Sequence, residues 1–277
     1  MISAAEVARS LKPVLLESRP GRARSFRRAV TDSRQVQQGD LFVAVRGEHE
    51  DGHTFLQEAM NRGAAGVLVQ HMPETLADGV AAYVVPDTLA ALQRLAAARR
   101  ERIPVEVIGV TGSVGKTTAK EAIAAVLIAR LPVFKNRANY NGIYGLPIAL
   151  GELRPEHRIA VLEMAADHLG EIGRLARIAP PDIAVVTTVE PAHLEAFGSM
   201  AAIAREKGDL VAALPPTGLA VLNADDPRVL AMAERTSACV VTFGTCAEDN
   251  HGDLASFPEP PCSPGLRGYL RCMYRRS

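Results

Sequence analysis

The sequence has no excess of charge of either sign. Its 277 residues include 31 Lys and Arg and 31 Asp and Glu, so the formal net charge is zero. A neutral chain lacks the general electrostatic attraction that draws proteins to nucleic acid or to an anionic membrane surface. We therefore expect no nucleic-acid partner, and any recognition of phosphate has to be local.

Long apolar runs are also missing. No run approaches the ~20 residues that a membrane-spanning helix needs. The first residues, MISAAEVARSL, lack the basic start and the apolar stretch of a signal peptide. We expect a cytoplasmic, monomeric protein that does not insert into a membrane. The cysteines have no C-x-x-C spacing, which argues for reduced thiols and against a zinc site: Cys239, Cys246, Cys262 and Cys272.

The length and the 48% hydrophobic content suit two domains, each with its own core. The first, residues 1–103, contains two apolar runs of strand length at residues 41–45 and 66–69. Residues 54–62 have helical periodicity, as does a later stretch before Pro104. Because Pro104 breaks this pattern, we place the domain boundary there.

Two features of this first domain predict helix ends. Ser3 followed by Glu6 is the pattern of a capping box that opens a short helix. Arg99, Arg100 and Arg102 form a basic cluster that is favourable at the carboxyl end of a helix. We interpret the cluster as a solvated helix end and not as a nucleic-acid patch.

The second domain, residues 104–246, alternates short apolar runs with helical stretches such as residues 117–130. Runs that are apolar throughout are typical of strands buried on both faces of a parallel sheet. The predicted fold is α/β in both domains. Residues 247–277 show neither period and are rich in Pro, Gly and Arg, so we expect an irregular tail. The strand candidates are residues 105–110, 159–162, 183–186, 219–222 and 239–243.

A phosphate-binding loop is indicated where the strand 107–110 runs into T-G-S-V-G-K-T-T. Glycines let such a loop turn tightly and direct its N–H groups at phosphate, a lysine reaches the β- and γ-phosphates, and a hydroxyl can bind Mg²⁺. The alternative is an ordinary strand-to-helix turn with a surface lysine, because Val110 stands where the full motif has glycine. The expected contacts to ATP are Gly112, Ser113, Val114, Gly115, Lys116, Thr117 and Thr118.

Three further side chains could take part. Glu163 ends a predicted strand, so it lies at the carboxyl edge of the sheet, where ligands bind in open α/β folds and where Mg²⁺ needs oxygen ligands. The alternative is a solvated carboxylate. The local patterns of His193 and Lys207 favour an ordinary surface or core histidine and a solvated helical lysine.

From about Ser3 to Gly244, these residues resemble the Mur ligase family. In the first domain the resemblance is carried by D-S-R at residues 32–34, G-D-L-F-V-A at 39–44 and D-G-H at 51–53. In the second it is carried by G-K-T-T-A-K-E at 115–121 and H-L-E-A-F-G-S at 193–199. These last two stretches are most similar to the member that adds D-alanyl-D-alanine.

The resemblance implies a fold and a reaction. A small UDP-sugar-binding α/β domain would precede an incomplete P-loop ATPase domain with a parallel sheet. ATP, with Mg²⁺, would phosphorylate the carboxylate of UDP-MurNAc-tripeptide, and D-Ala-D-Ala would attack the acyl phosphate. The implied substrate residues are Ser33, Arg34, Asp51, Gly52, His53 and Asn141, and Asn223 would lie near the nucleotide. The implied catalytic residues are Lys116, His193 and a carbamylated Lys207, and the implied Mg²⁺ ligands are Thr117, Glu163, His193 and Lys207.

The sequence departs from the family pattern at Gly142, Ile143, Ala165, Thr188 and Glu190. Family members also continue into a third, closing domain, whereas the resemblance stops near Gly244, so we expect a truncated chain. Two alternatives remain: a non-catalytic fragment that binds nucleotide or UDP-sugar, and the sister ligase that adds diaminopimelate or lysine. An unrelated P-loop kinase would not explain the motifs of the first domain.

Overall fold

A computed structural model describes residues 1–47, 50–137, 139–191 and 194–245. The chain folds into two units. The first consists of Met1–Pro104 and Tyr144–Arg154, and the second of Val105–Ile143 and the residues from Pro155 onward. In the described part of the chain, no helix combines the length and the hydrophobicity needed to cross a membrane.

The first unit is built on a five-stranded sheet with the order β2-β7-β6-β5-β4, together with a small β1-β3 pair. Only β2 runs antiparallel in the larger sheet. The elements are β1 (Ile2–Ser3), α1 (Ala4–Leu11), β2 (Glu17–Arg19), β3 (Ser25–Phe26), β4 (Ala29–Val30), β5 (Leu41–Val43), α2 (Leu56–Asn61), β6 (Gly66–Val69), β7 (Ala81–Val84), α3 (Thr88–Arg102) and, from the later segment, α5 (Gly145–Leu150), with 3₁₀ turns at Ser33–Gln35 and Gly52–Phe55.

The central strands of this sheet are apolar on both faces. Phe42 and Val67 pack on one side with Met60 of α2, while Leu41 and Leu68 are fully buried on the other. Side chains of this size each stabilise a fold by about 1.5–3 kcal/mol when they are removed from water. This explains why a parallel sheet forms where the sequence has continuous apolar runs.

The second unit is a six-stranded, fully parallel sheet with the order β13-β12-β11-β8-β10-β9. Its elements are β8 (Glu106–Thr111), α4 (Lys116–Ile128), β9 (Val133–Lys135), β10 (Ile159–Glu163), α6 (Glu171–Ile178), β11 (Ile183–Val186), α7 (Leu194–Phe197), α8 (Met200–Ala212), β12 (Leu219–Asn223), α9 (Pro227–Leu230) and β13 (Cys239–Phe243), with a 3₁₀ turn at Ala231–Arg235.

The strand order of this sheet reverses beside β8. From β8 the chain crosses to the edge strand β9, returns to β10 on one side of β8 and then continues through β11 on its other side. Ligands bind in open α/β sheets at such a switch point, outside the carboxyl ends of the strands. Those ends here are Thr111 of β8, Glu163 of β10 and Val186 of β11.

Helices cover both faces of the same sheet. Ala124 and Ile123 of α4 pack on Ile108 and Val161. On the opposite face, a Cβ added at Gly109 would lie 2.9 Å from Leu210 of α8, so the glycine allows α8 to lie close to β8. The predicted α/β class with a parallel sheet is therefore confirmed.

The interpretation of the first helix and of the arginine cluster needs correction. Ser3 caps α1 by accepting from the Glu6 N–H, at 3.0 Å. Glu6 does not complete the capping box, because its buried carboxylate pairs instead with Arg99 and Arg102, at 3.2 and 3.1 Å. Arg99 also donates to the Leu153 carbonyl and is only 12% exposed, so the prediction of a solvated helix end is wrong for Arg99. It is correct for Arg102, whose side chain is 48% exposed although it pairs with Glu6.

Several predicted boundaries also shift. The predicted strand 41–45 ends at Val43, and the predicted helix 54–62 divides into the 3₁₀ turn Gly52–Phe55 and α2. Although the division between the units falls at Pro104, the segment Tyr144–Arg154 groups with the first unit, because α5 packs on α3. The predicted tail, residues 247–277, lies outside the described residues.

Candidate functional site

The glycine loop joins β8 to α4 with two residues in conformations that favour glycine. Gly112 has φ +147° and Gly115, the N-cap of α4, has φ +84°. A Cβ at Gly112 would lie 1.9 Å from the Thr187 hydroxyl oxygen, so a side chain there has no room. The loop therefore holds the amino end of a 13-residue helix open toward the carboxyl edge of the sheet, where the helix dipole favours an anion.

The residues that follow β11 brace this loop through main-chain and hydroxyl hydrogen bonds. The Ser113 N–H donates to the Thr188 carbonyl at 2.7 Å, and the Val114 N–H donates to the Thr188 hydroxyl at 3.2 Å. Thr187 donates from its hydroxyl to the Val114 carbonyl at 2.5 Å, and the Glu190 N–H donates to the Ser113 hydroxyl at 2.9 Å. Thr188 and Glu190, which depart from the family pattern, therefore support the loop.

Lys116 lies across the loop that precedes it. Its ammonium donates to the Ser113 carbonyl at 2.9 Å. Burial lowers the pKa of Lys116, while the nearby carboxylates of Glu163 and Asp167 act in the opposite direction. The lysine is thus a partly desolvated cation at the mouth of the loop, which suits an anionic ligand better than a fully hydrated side chain would.

Glu163 is the acidic centre of the site. The carboxylate is 3% exposed and accepts from the Thr117 hydroxyl and from the Asn141 side-chain amide, both at 2.8 Å. Asn141, an implied substrate residue, thereby lies beside the glycine loop. These side chains lie at a cavity of about 350 Å³, whose lining consists of Gly115, Lys116, Thr117, Thr118, Asn141, Gly142, Glu163, Ala165 and Asp167.

The oxygen atoms of Thr117 and Glu163 are suitable ligands for the Mg²⁺ of a magnesium–nucleotide complex. A hydroxyl and a carboxylate are the oxygen ligands that Mg²⁺ prefers, and Mg²⁺ in nucleotide sites usually takes only one or two protein carboxylates beside phosphate and water. Within residues 1–47, 50–137, 139–191 and 194–245, no three His, Cys, Asp or Glu side chains form a group that could hold a metal ion.

Lys207 lies on α8, in the interior of the second unit. Desolvation lowers its pKa from the ordinary value to about 8, and the positive charge of Lys116 adds to this effect, while Glu206 opposes it. The sequence interpretation of a solvated helical lysine is wrong, since Lys207 is only 7% exposed. His193, the other predicted partner, lies outside the described residues.

The side chain of Asn223 forms hydrogen bonds within the protein. Its side-chain amide donates to the Thr187 carbonyl at 2.8 Å, and its side-chain oxygen accepts from the Asp225 N–H at 2.9 Å. It therefore ties the end of β12 to the end of β11, directly behind the loop. Its predicted position near the nucleotide stays a prediction.

The first unit has a separate cleft of about 390 Å³. Ser33, Arg34 and Gly52 line it, and Ser33 donates to Glu58 at 2.7 Å. The Arg34 side chain is 80% exposed and pairs with Asp32 at 2.9 Å, so it can turn toward an anionic ligand at little cost.

Asp51 and His53 form a hydrogen-bonded pair beside this cleft. The Asp51 carboxylate and the His53 Nδ1 lie 2.6 Å apart, and the Gln70 N–H donates to the His53 Nε2 at 2.9 Å. Since Nε2 accepts, the neutral ring carries its proton on Nδ1 and donates it to Asp51. Hydrogen bonds from the main chain and side chain of His53 lower the pKa of Asp51 to about 2. Both ring nitrogens are occupied, which indicates that this pair shapes the turn.

Four residues near the loop were not predicted as site residues: Lys120, Asn136, Asp167 and Thr187. Lys120 was noted only as part of the G-K-T-T-A-K-E stretch, and the other three lie between recognisable motifs. Their proximity to the loop depends on strand order, which the sequence does not state.

The second unit has the features of a P-loop α/β domain. It is a parallel sheet with a glycine loop at its switch point, a helix that begins after the loop, and an acidic side chain on the neighbouring strand. Two family models match the chain: the middle domain of the Mur ligases over residues 110–258, and the catalytic domain of the Mur ligase family over residues 28–135. The chain belongs to the Mur ligase family.

Two curated relatives carry the name UDP-N-acetylmuramoyl-tripeptide–D-alanyl-D-alanine ligase. The protein of a Synechocystis species is 46% identical over 225 residues, which cover 81% of this chain and 50% of the relative. The Bacillus subtilis protein is 37% identical over 222 residues, which cover 80% of this chain and 48% of the relative. The chain thus spans about half the length of the curated relatives it matches.

Solved structures agree with this assignment. MurF from Acinetobacter baumannii has a TM-score of 0.77 at 32% identity and matches 87% of this chain and 53% of its own. The MurF ligase from Thermotoga maritima, solved in complex with ADP, has a TM-score of 0.69 at 38% identity and matches 79% of this chain and 50% of its own.

Proposed function

We propose that this chain carries the nucleotide and UDP-sugar sites of an ATP-dependent ligase that adds D-alanyl-D-alanine to UDP-MurNAc-tripeptide. One observation carries the proposal: the glycine loop at the switch point faces Thr117 and Glu163, in a chain 46% identical to a protein with that name. In the reaction, the tripeptide carboxylate takes the γ-phosphoryl group of ATP, and ADP leaves. The amine of D-Ala-D-Ala then attacks the acyl phosphate, and inorganic phosphate leaves.

The loop residues would position the triphosphate. The N–H groups at the start of α4 and the Lys116 ammonium, freed from the Ser113 carbonyl, would hold the phosphate oxygens. Phosphoryl transfer depends mainly on such positioning and on neutralising charge. Because the loop is braced by Thr187 and Thr188, its main chain would need little reorganisation when the nucleotide binds, whereas the Lys116 side chain would move.

Thr117 and Glu163 would hold Mg²⁺ together with the phosphates, and Asn141 would keep the Glu163 carboxylate in place. When bound, Mg²⁺ offsets the negative charge that develops on the transferred group. Lys207 would act as a carbamate. Its neutral amine forms a bond to carbon dioxide and releases one proton, and the lowered pKa makes that neutral amine more abundant. His193 would be its partner.

In the first unit, the cleft lined by Ser33, Arg34 and Gly52 would take the UDP-sugar. Arg34, an exposed cation that lines this cleft, would contact the diphosphate. Asp51 and His53 would support the cleft by fixing the turn that contains Gly52.

A second candidate is nucleotide and UDP-sugar binding without turnover by these 277 residues alone. The observation that favours it is that the matched region corresponds to about half of each relative. The sister ligase that adds diaminopimelate is less well supported, because a solved structure with that title is only 22% identical and shares the fold alone.

The test is ATP-dependent phosphate release with UDP-MurNAc-tripeptide, with and without D-Ala-D-Ala, using a Lys116→Ala control. Release that needs D-Ala-D-Ala and disappears in the control is the expected result for the ligase. Binding of ATP or UDP-sugar without release would select the second candidate, and absence of both binding and release would overturn both.

A further inference from the structure

Asn136 is a buried side chain for which the mechanism above has no role. It is 1% exposed and follows directly after β9. Its Oδ1 accepts from the Glu163 N–H at 2.9 Å, and its Nδ2 donates to the Glu163 carbonyl at 3.0 Å. One amide side chain thus pairs with both main-chain groups of Glu163, just beyond the last residue of β9.

The same amide holds the loop that carries Asn141. Its Nδ2 also donates to the Tyr140 carbonyl at 2.7 Å. Asn141, the next residue, donates to one oxygen of the Glu163 carboxylate, and its own carbonyl accepts from the Ala165 N–H at 2.9 Å. Asn136 therefore fixes both the backbone from which the carboxylate projects and the loop whose amide orients it.

Lys120 anchors this arrangement from α4. Its side chain is fully buried, and its ammonium donates to the Asn136 carbonyl at 2.8 Å. The same ammonium lies 3.5 Å from the Glu163 oxygen that accepts from Thr117. The Glu121 carboxylate lies 3.4 Å from the same ammonium. A buried lysine carries a large desolvation cost, so its position among Asn136, Glu121 and Glu163 indicates that these partners together compensate the charge.

We propose that Asn136, anchored by Lys120, is a positioning residue that fixes the Glu163 carboxylate opposite Thr117 and thereby sets the affinity of the nucleotide site for a divalent cation. The inference rests on the proposed function, in which Thr117 and Glu163 hold that cation. Groups that orient metal ligands without touching the metal commonly change metal affinity strongly when they are removed. Asn136 is not a catalytic residue, since it touches Glu163 and not the nucleotide cavity.

The experiment measures binding and not turnover. ADP affinity of the full chain is determined by calorimetry in EDTA, and Mn²⁺ affinity of the ADP complex by electron paramagnetic resonance. For Asn136→Ala we expect Mn²⁺ affinity to fall about tenfold or more, while ADP affinity in EDTA stays within about twofold of the parent chain. Glu163→Gln should show the same pattern, and Lys116→Ala should lose ADP binding itself.

Two controls separate positioning from general damage. Val229→Ala removes part of the buried side chain of α9 and should lower the unfolding temperature without touching Glu163, so its Mn²⁺ affinity should be unchanged. Asn61→Ala removes an exposed amide from the first unit and should alter neither affinity. If Asn136→Ala does not fold, Asn136→Thr replaces it, because one hydroxyl can supply only part of the amide's three contacts.

The outcomes distinguish the two proposals. If the parent chain binds no ADP, the proposed nucleotide site fails and this inference fails with it. If the parent chain binds ADP and Mn²⁺ but neither Asn136 variant weakens Mn²⁺, the positioning role is wrong while the proposed function stands. Equal losses of ADP and Mn²⁺ affinity in the Asn136 variants would also overturn the positioning role, because they would mean that Asn136 only maintains the fold.

Discussion

The Thr117 hydroxyl donates to the Glu163 carboxylate over 2.8 Å and so joins the first turn of α4 to the last residue of β10. The two residues are 46 positions apart in sequence and meet because β10 lies next to β8. The hydrogen bond orders two oxygen atoms that suit Mg²⁺ before any nucleotide is bound. Such preorganisation reduces the entropy lost on binding.

Replacing Thr117 with valine keeps the shape of the side chain and removes its hydroxyl. We expect Mn²⁺ affinity of the ADP complex to fall about tenfold, since both a ligand and the partner of Glu163 are lost. The free energy of unfolding should fall by about 1 kcal/mol, the usual worth of one such hydrogen bond. Thr117→Ser, which retains the hydroxyl, is the matched control, and unchanged Mn²⁺ affinity in the valine variant would contradict the assignment.

Gly112→Ala tests the geometry of the loop. Its φ of +147° disfavours any side chain, and the added Cβ would lie 1.9 Å from the Thr187 hydroxyl, so the loop must move away from β11. We expect ADP binding in EDTA to weaken at least about tenfold, because the loop N–H groups lose their alignment. Gly173→Ala on α6, where the nearest atom would be 3.6 Å away, is the control and should bind ADP as the parent chain does. Equal binding by both variants would show that the loop does not hold phosphate.

The comparison of sequence with structure shows where local patterns suffice. The loop from Gly112 to Thr117 and the strand-end position of Glu163 were predicted, because glycine, lysine and hydroxyl spacing and an apolar strand are local signals. The roles of Asn136 and Lys120 were not, since they follow from the β8-β10-β9 strand order, a long-range property. Glu6 illustrates the same limit. Its carboxylate does not take part in a capping box, because it pairs with two arginines of α3 that lie 93 and 96 positions away in sequence.

Glu206 links two helices of the second unit and should matter for stability. Its buried carboxylate accepts from the N–H groups of Gly170 and Ile172, at 2.6 and 2.7 Å, and so caps the amino end of α6 from α8. Glu206→Ala leaves those donors without a partner, and we expect the free energy of unfolding to fall by about 2 kcal/mol.

Denaturant unfolding measures this loss, and Glu206→Gln serves as the comparison. The amide keeps one acceptor but turns a donor toward the main chain, so an intermediate loss is expected. Glu234→Ala, at an exposed position, should have almost no effect. If alanine and glutamine at position 206 both match the parent chain, the cap contributes nothing to stability.

Lys207→Met tests the cost of burying an amine that the proposed reaction requires. The pKa of Lys207 is about 8 in the folded protein and near 10.5 when the chain is unfolded. Below about pH 8 the amine is protonated in both states, so the folded protein bears the full cost of the buried charge. Between these two values the unfolded chain binds more protons, so the stability of the parent chain rises with pH. Methionine, similar in length and uncharged, avoids this cost at every pH.

We therefore expect Lys207→Met to unfold at a higher temperature than the parent chain near pH 7, and the difference to narrow as the pH rises from about 8 toward 10.5. Differential scanning calorimetry in buffers freed of carbon dioxide measures this, because carbamylation would change the charge of the parent chain. Lys12→Met, at an exposed lysine, should show no such narrowing. A stability difference that stays constant with pH, or a methionine variant less stable than the parent chain, would contradict this prediction. Either result would mean that other groups compensate the charge of the buried Lys207 amine.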